Sequence, residues 1–353
     1  MLLTLAEIET LKLIAWCKDI PVVSPFTAKE TLSSLLGTGL IRKSKSGLSF
    51  RVTNEGLLLL KKLGYNYPTD SQSRGVGPIM TRRLRTAQLM LFLTRLDTDV
   101  YLRYPAPKSQ SNAFLPSFVY RRDKNKNPLA TSRFCGVLYG SEYAIAVYSL
   151  GKENDGLYPS TEKNTFTMKI LTGDRKSAVL FTGEENIDAL ISNSFNKTTL
   201  SRALCVMDAA KQLDCPVAFV PMNEDGLRQI RIILSSGYRQ RFANILLKSD
   251  YEPPDKFWYD AKQKVSGEKI MIGFDLDFPR MQIAADYGVH IFLLDWQIEC
   301  VKKMLMGKKA ILHSISVKTA EDILKLPYNL TQKEIKPYIT TKGEYVVATF
   351  KDN

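Results

Sequence analysis

Asp275 and Asp277 are the two side chains of this sequence most ready to act together. They sit one residue apart at the end of the apolar run Lys-Ile-Met-Ile-Gly-Phe. That run reads as a strand, and alternate strand residues point to one face. Two carboxylates on one face could hold Mg²⁺ for phosphodiester hydrolysis. Other acids end apolar runs too: Glu184 and Glu185, Glu224 and Asp225, Asp295 and Glu299. Ligand sites of open α/β sheets lie at that edge. A structural role is equally available, because acids at helix starts cap free N–H groups and complement the helix dipole. The structural role is the favoured reading.

A nuclease of the restriction-endonuclease type needs a strand-borne Asp/Glu-x-Lys. Three such triplets occur: Asp174-Arg-Lys176, Asp260-Ala-Lys262 and Glu334-Ile-Lys336. With 36 acids and 31 lysines in 353 positions, chance supplies about as many, so the triplet carries no weight. The only histidines, His290 and His313, lie in apolar runs and read as core residues. Their neighbours exclude His-x-His, His-x-x-Arg and His-Glu-x-x-His chemistry, and no phosphate-binding Gly-x-x-x-x-Gly-Lys-Ser/Thr loop exists. Cys17, Cys135, Cys205, Cys215 and Cys300 are widely spaced and odd in number, which argues for reduced thiols. No catalytic residue is assigned; Asp275 and Asp277 carry the nuclease alternative, and Mg²⁺ is expected only under it.

The elements that must position these groups begin with a small helical region. Thr4-Leu-Ala-Glu7 is a capping box, and Leu5, Ile8, Leu11 and Ile14 follow at helical spacing. Pro21 and Pro25 break the chain, and Thr27 is expected to cap a second helix to Leu36. Gly39 to Thr53 reads as two short strands around a Ser/Gly/Lys turn, followed by a Leu-rich helix. The segment GLIRKSKSGLSFRVTNEGLLLL resembles the wing and last helix of winged-helix DNA-binding domains. Only one helix fits between Val22 and Gly39. The resemblance implies DNA contact by Arg42, Lys43, Lys45 and Arg51.

Residues 66–78 read as a linker, and a helix starting near Met80 carries Arg82, Arg83 and Arg85 in its first turns. Cations there oppose the helix dipole, and a phosphate partner would offset that cost. Residues 104–133 read as an exposed loop with a basic run that includes Arg121 and Arg122. A hairpin follows over 133–148. From about 175, four strand–turn–helix units argue for an α/β domain with a largely parallel sheet. The expected organisation is a winged-helix-like domain over 1–66, a basic helix and exposed linker over 67–130, and a mixed, largely parallel α/β domain over 131–353.

The segments RRLRTAQLM, SRFCGVLYGSEYAIAVYSLG, FDLDFPR and YGVHIFLLDWQ are similar to uncharacterised winged-helix proteins of integrative and conjugative elements of Gram-positive bacteria. In architecture these are similar to replication-relaxation proteins. The resemblance implies a DNA-binding accessory role in replication, transfer or regulation of a mobile element. The charge agrees with it. Residues 1–150 hold 21 Lys and Arg against 10 Asp and Glu, and residues 151–353 hold 28 against 26. The basic part suits double-stranded DNA, and the near-neutral part suits other proteins. A scaffold that binds only proteins is the third reading. No run of about 18 apolar residues exists, so no membrane span is expected, and the chain reads as cytoplasmic.

Overall fold

The structure, a computed structural model, describes residues 3–65, 78–102, 110–120, 133–151, 156–166, 172–198, 201–247, 250–326, 337–341 and 344–346. The chain is mixed α/β and divides into two compact units, Met1–Arg95 with Thr331–Asn353, and Leu96–Leu330.

The first unit starts with strand β1 (Leu3–Thr4) and helix Leu5–Cys17. The capping box is formed: the Glu7 N–H donates to the Thr4 hydroxyl at 3.2 Å, and the Thr4 N–H donates to Glu7 Oε2 at 2.5 Å. Strands β2 (Ile20–Pro21), β3 (Ile41–Lys43) and β4 (Ser49–Val52) make an antiparallel sheet in the order β2-β4-β3. Helix Lys29–Gly37 starts after Ala28, which corrects the expected Thr27 cap; the Thr27 hydroxyl has no partner. Helix Asn54–Lys62 is capped by Thr53, whose hydroxyl accepts from the Gly56 N–H at 3.2 Å.

The basic helix, Pro78–Thr94, belongs to this unit rather than to a linker region. Its later residues, Leu89 to Leu93, are all buried, so it needs cover on every side. Met90 Sδ lies 3.5 Å from Cys17 Sγ, and the Phe92 and Phe26 rings are 5.2 Å apart. Near the C-terminus, strand Pro337–Thr341 pairs with β1, placing Tyr338 opposite Leu3. The two compact units divide at 95/96, with the chain end returning to the first.

The second unit holds two five-stranded sheets. In the first, β5 (Ala113–Pro116), β6 (Gly136–Tyr139) and β7 (Tyr143–Ser149) run antiparallel, and β8 (Lys176–Thr182) and β9 (Val217–Phe219) add in parallel. In the second, β10 (Tyr251–Glu252), β11 (Ala261–Gln263) and β12 (Lys269–Ile272) run antiparallel, and β13 (His290–Leu294) and β14 (Ile311–Ile315) add in parallel. The mixed pairing expected for this domain is present, but as one plan used in two sheets, each half antiparallel and half parallel rather than largely parallel. Chain length explains it: the short links at 140–142 and 264–268 permit only antiparallel returns, whereas parallel pairing needs a crossover of roughly a dozen residues. The four strand–helix units exist but are shared between the sheets. They are β8, β9, β12 and β13, with helices Ile187–Ser194, Glu224–Leu234, Phe278–Asp286 and Ile298–Met304. Within the expected loop 104–133, Ala113, Phe114 and Leu115 form a fully buried strand instead.

Parallel register aligns Tyr148, Phe181 and Phe219, with ring centroids 5.4 and 5.2 Å apart. The row continues at 5.4 Å to Phe278, on the helix that follows β12. One apolar core thereby spans both sheets. On β12, Met271 faces that core, while Ile270 and Ile272 face a second core with Phe242.

The turn after β9 is tight. A Cβ at Gly226 would lie 1.8 Å from the Pro221 carbonyl oxygen. Gly226→Ala is expected to cost about 2 kcal/mol or more in urea unfolding, because backbone must move. Gly37→Ala, whose Cβ meets nothing within 4 Å, is the control and should be neutral or stabilising.

Candidate functional site

In the first unit the basic candidates divide by what their side chains do. Arg42, Lys43 and Lys45 are exposed on β3 and the Ser44–Leu48 turn. Arg51 lies opposite Arg42 across the β3–β4 ladder, a like-charge pairing that is unfavourable by itself. Asp19 relieves it: Arg51 Nε donates to Asp19 Oδ1 at 2.5 Å and Nη2 to Oδ2 at 3.3 Å. The Ser49 hydroxyl donates to the same carboxylate at 2.8 Å, and Asp19 is 2 % exposed. The Arg51 guanidinium is thus used to hold the sheet. Arg82 is exposed, and Arg83 and Arg85 are half-buried on the first turns of helix Pro78–Thr94. Arg121 and Arg122 lie outside the described residues.

Counted over the structural units, the charge remains uneven. The first holds 18 Lys and Arg against 9 Asp and Glu, and the second 31 against 27.

In the second unit, Asp275 and Asp277 are buried, but neither lies on a strand. β12 ends at Ile272, and the two aspartates follow in a turn whose Leu276 has φ 57°. The shared strand face expected for them is therefore corrected. Asp275 is paired with Arg239 and accepts the Tyr238 hydroxyl at 3.0 Å. Asp277 caps helix Phe278–Asp286, accepting the Arg280 N–H at 3.2 Å, and also accepts the Val217 N–H at 3.3 Å. Burial, then the neighbouring Asp275 carboxylate, pushes Asp277 up to about 6.

Arg239, Arg280, Asp260 and Tyr238 complete this cluster, and sequence reading assigned none of the four to a site. Arg280 donates through Nη2 to Asp260 at 2.7 Å and through Nε to the Phe257 carbonyl at 2.7 Å. Its Nη1 is buried with no partner. The one sequence signal was the triplet Asp260-Ala-Lys262, and the structure separates its ends. Asp260 is buried against Arg280, whereas Lys262 lies on the surface 3.7 Å from Glu252. Among the described residues, no group of three or more His, Cys, Asp or Glu is arranged to hold a metal.

Part of the cluster faces a cavity of about 620 Å³. Its wall runs along the N-terminal ends of β7, β8 and β9, the turn Ser235–Gly237, and the segment from Pro254 to Asp260. Ala178 and Ala218 leave it open where larger side chains would fill it. Arg239, Arg280, Asp260 and Asp275 contribute to its lining, as do Lys176 and Glu142.

The remaining acids do not cap as expected. Asn186 and Asn223 are the caps, and Glu224 and Asp225 sit in the first turn that follows. The two histidines are not separate core residues. They face each other from β13 and β14 with His290 Nδ1 and His313 Nε2 2.9 Å apart. Ring centroids 5.1 Å apart, at 13°, match two imidazoles joined end to end by one N–H···N bond. Burial, followed by the His290 charge, lowers the His313 pKa. Burial pushes Cys215 and Cys300 up to about 12, which keeps both as unreactive thiols. No helix among the described residues is long and apolar enough to cross a membrane.

No protein-family model matches this chain, and neither a curated protein nor a solved structure matches it.

Two expectations follow from the geometry. Arg51→Ala leaves buried Asp19 without its cation and should cost about 2 kcal/mol or more in urea unfolding, while Lys43→Ala should cost almost nothing. The second concerns pH. Asp277 is protonated more readily folded than unfolded, so its contribution favours folding at low pH and is lost as pH rises from about 4 to about 6. Stability of Asp277→Asn relative to the parent should rise by roughly 1–3 kcal/mol between pH 4 and pH 7 in paired urea titrations. A gap that does not change with pH would remove this assignment.

Proposed function

We propose that this protein is a DNA-binding accessory protein that acts in replication, transfer or regulation of a mobile genetic element. The observation that carries the reading is the exposed Arg42, Lys43 and Lys45 on a β-turn of the more basic unit. The strand order β2-β4-β3, with helix Lys29–Gly37 before the turn and helix Asn54–Lys62 after it, supports a winged-helix-like domain. In that reading the turn is the wing, and Ser44 to Gly47 let its backbone approach DNA closely. Helix Lys29–Gly37 exposes Lys29, Glu30, Ser33 and Ser34, which is too little positive charge to grip a backbone. Phosphate contact therefore falls to the wing and to Arg82, Arg83 and Arg85, and such contacts position a protein without reading sequence. Arg51 is left out because Asp19 holds it.

The second unit is proposed to meet other proteins. Phe257, Val265 and Met306 are exposed on it at 71 %, 85 % and 83 %. A cytoplasmic location and the absence of any Mg²⁺ requirement belong to the same proposal. The nuclease alternative is not adopted, since Arg239 and helix capping already engage Asp275 and Asp277.

The test is fluorescence anisotropy of the full chain with short duplexes over a salt series. Binding should weaken steeply with salt. The double variant Lys43→Ala, Lys45→Ala should reduce the slope of log affinity against log salt by about 2. It should weaken binding to unrelated sequences alike. No binding, or a slope the double variant leaves unchanged, would reject the wing as the DNA contact.

A further inference from the structure

We infer that the second unit carries a stacking platform for a single strand of DNA, built on Tyr287. The platform itself is independent of the wing of the first unit. The choice of DNA over RNA rests on the DNA-binding reading.

The platform starts from a buried ring. Trp258 is 7 % exposed and belongs to the core that spans both sheets. Tyr287, at the end of helix Phe278–Asp286, lies on it with ring centroids 4.5 Å apart and planes at 7°. One face of Tyr287 is therefore covered, yet the residue is 62 % exposed. The exposure belongs to its outer face and edge. A nucleobase placed there would continue the stack as a third ring, and every base has the π-face this requires. Ile283, one turn earlier, is also exposed and extends the apolar strip along the helix.

The rings are fixed before any ligand arrives. The Tyr287 N–H donates to the Ala284 carbonyl at 3.1 Å, and Gly288 then turns the chain with φ 66°. Tyr259 packs 5.0 Å from Trp258 on the other strand of the cluster. Its hydroxyl donates to the Asp255 carboxylate and accepts the Asp255 N–H at 3.1 Å. Stacking on rings already held in place loses little side-chain freedom.

The charge beside the rings suits a phosphate backbone. Lys269 Nζ lies 4.6 Å from the Trp258 ring centre, 5.7 Å from that of Tyr259 and 5.9 Å from that of Tyr287. These distances are within cation–π reach of all three rings. The ammonium is nearer Trp258 than Tyr287, so it leaves the outer face of Tyr287 open. Lys309 is tied to the same helix end, where its N–H donates to the Ala285 carbonyl at 3.2 Å. Neither Lys269 nor Lys309 forms an ion pair among the described residues. The acids nearby are engaged: Asp286 pairs with Lys308, Asp255 accepts the Tyr259 hydroxyl, and Glu268 lies 3.8 Å from His290 Nε2. An open ring face flanked by unpaired lysines is what a single strand needs, because a duplex hides its base faces. A protein interface is less well served, since the centres of such interfaces are depleted of lysine.

The test is fluorescence anisotropy of the full chain with a short labelled oligothymidine. The same titration is run with an abasic strand of equal length, with a duplex and with oligouridine. Oligothymidine should bind at least about tenfold tighter than the abasic strand. Tyr287→Ala should weaken oligothymidine about tenfold and leave duplex binding unchanged, whereas Tyr287→Phe should keep both. Lys309→Ala should reduce the slope of log affinity against log salt by about 0.7. Tyr287 and Lys309 are exposed, so these variants do not threaten folding. The double variant Lys43→Ala, Lys45→Ala should weaken duplex binding and preserve the preference for oligothymidine over the abasic strand. That result separates failure here from failure of the wing. The inference is overturned by equal binding of oligothymidine and the abasic strand, or by indifference to Tyr287→Ala, which would hand this face to a protein partner. Tighter binding of oligouridine than of oligothymidine would overturn the choice of DNA.

Discussion

The outer edge of β9 is buried, and a buried strand edge must find partners for its backbone. Among the described residues no sixth strand of that sheet supplies them. The Phe219 N–H instead donates to the Asp275 carbonyl at 2.9 Å, and the Val217 N–H donates to the Asp277 carboxylate. Gln229, fully buried, donates to the Phe219 and Phe274 carbonyls at 3.0 and 2.8 Å. The turn after β12 is therefore the seam that joins the two sheets of the second unit. Leu276 adopts its positive φ inside that seam, where surrounding hydrogen bonds hold the conformation.

Placing two carboxylates in a seam sets the electrostatics of everything around it. A buried carboxylate without a cation costs several kcal/mol, so arginines must come to it. Arg239 arrives from the start of helix Tyr238–Leu247 and pairs with Asp275. Arg280, one turn beyond Asp277, is drawn off by Asp260. Asp277 accepts from backbone donors, and its burial, followed by the neighbouring Asp275 carboxylate, raises its affinity for a proton. The carboxylates that looked most suited to catalysis thus act as joinery.

The first unit solves a smaller problem in the same way. Its β2-β4-β3 sheet is three short strands, and Arg42 and Arg51 face each other across it. Buried Asp19 neutralises one of them, and that leaves Arg42 and the neighbouring lysines as the exposed charge. One acid therefore separates a structural arginine from a surface one nine residues away in sequence.

Local chemistry was legible in the sequence. The Thr4–Glu7 capping box, the two strands around the Ser/Gly/Lys turn and four strand–helix units are all determined by contacts within a few residues. Side-chain period and turn composition report such contacts directly. Partnership across the chain was not legible. Arg51 with Asp19, Arg239 with Asp275, and Arg280 with Asp260 are separated by 32, 36 and 20 residues. Nothing local distinguishes those arginines from solvated ones. The two histidines illustrate the same limit. Each sits in an apolar run that reads as core, and only the parallel register of β13 against β14 brings them to 2.9 Å. The division of the strands between two sheets was decided at that level as well. A strand's sequence encodes its burial, but which neighbour covers it depends on where the chain returns.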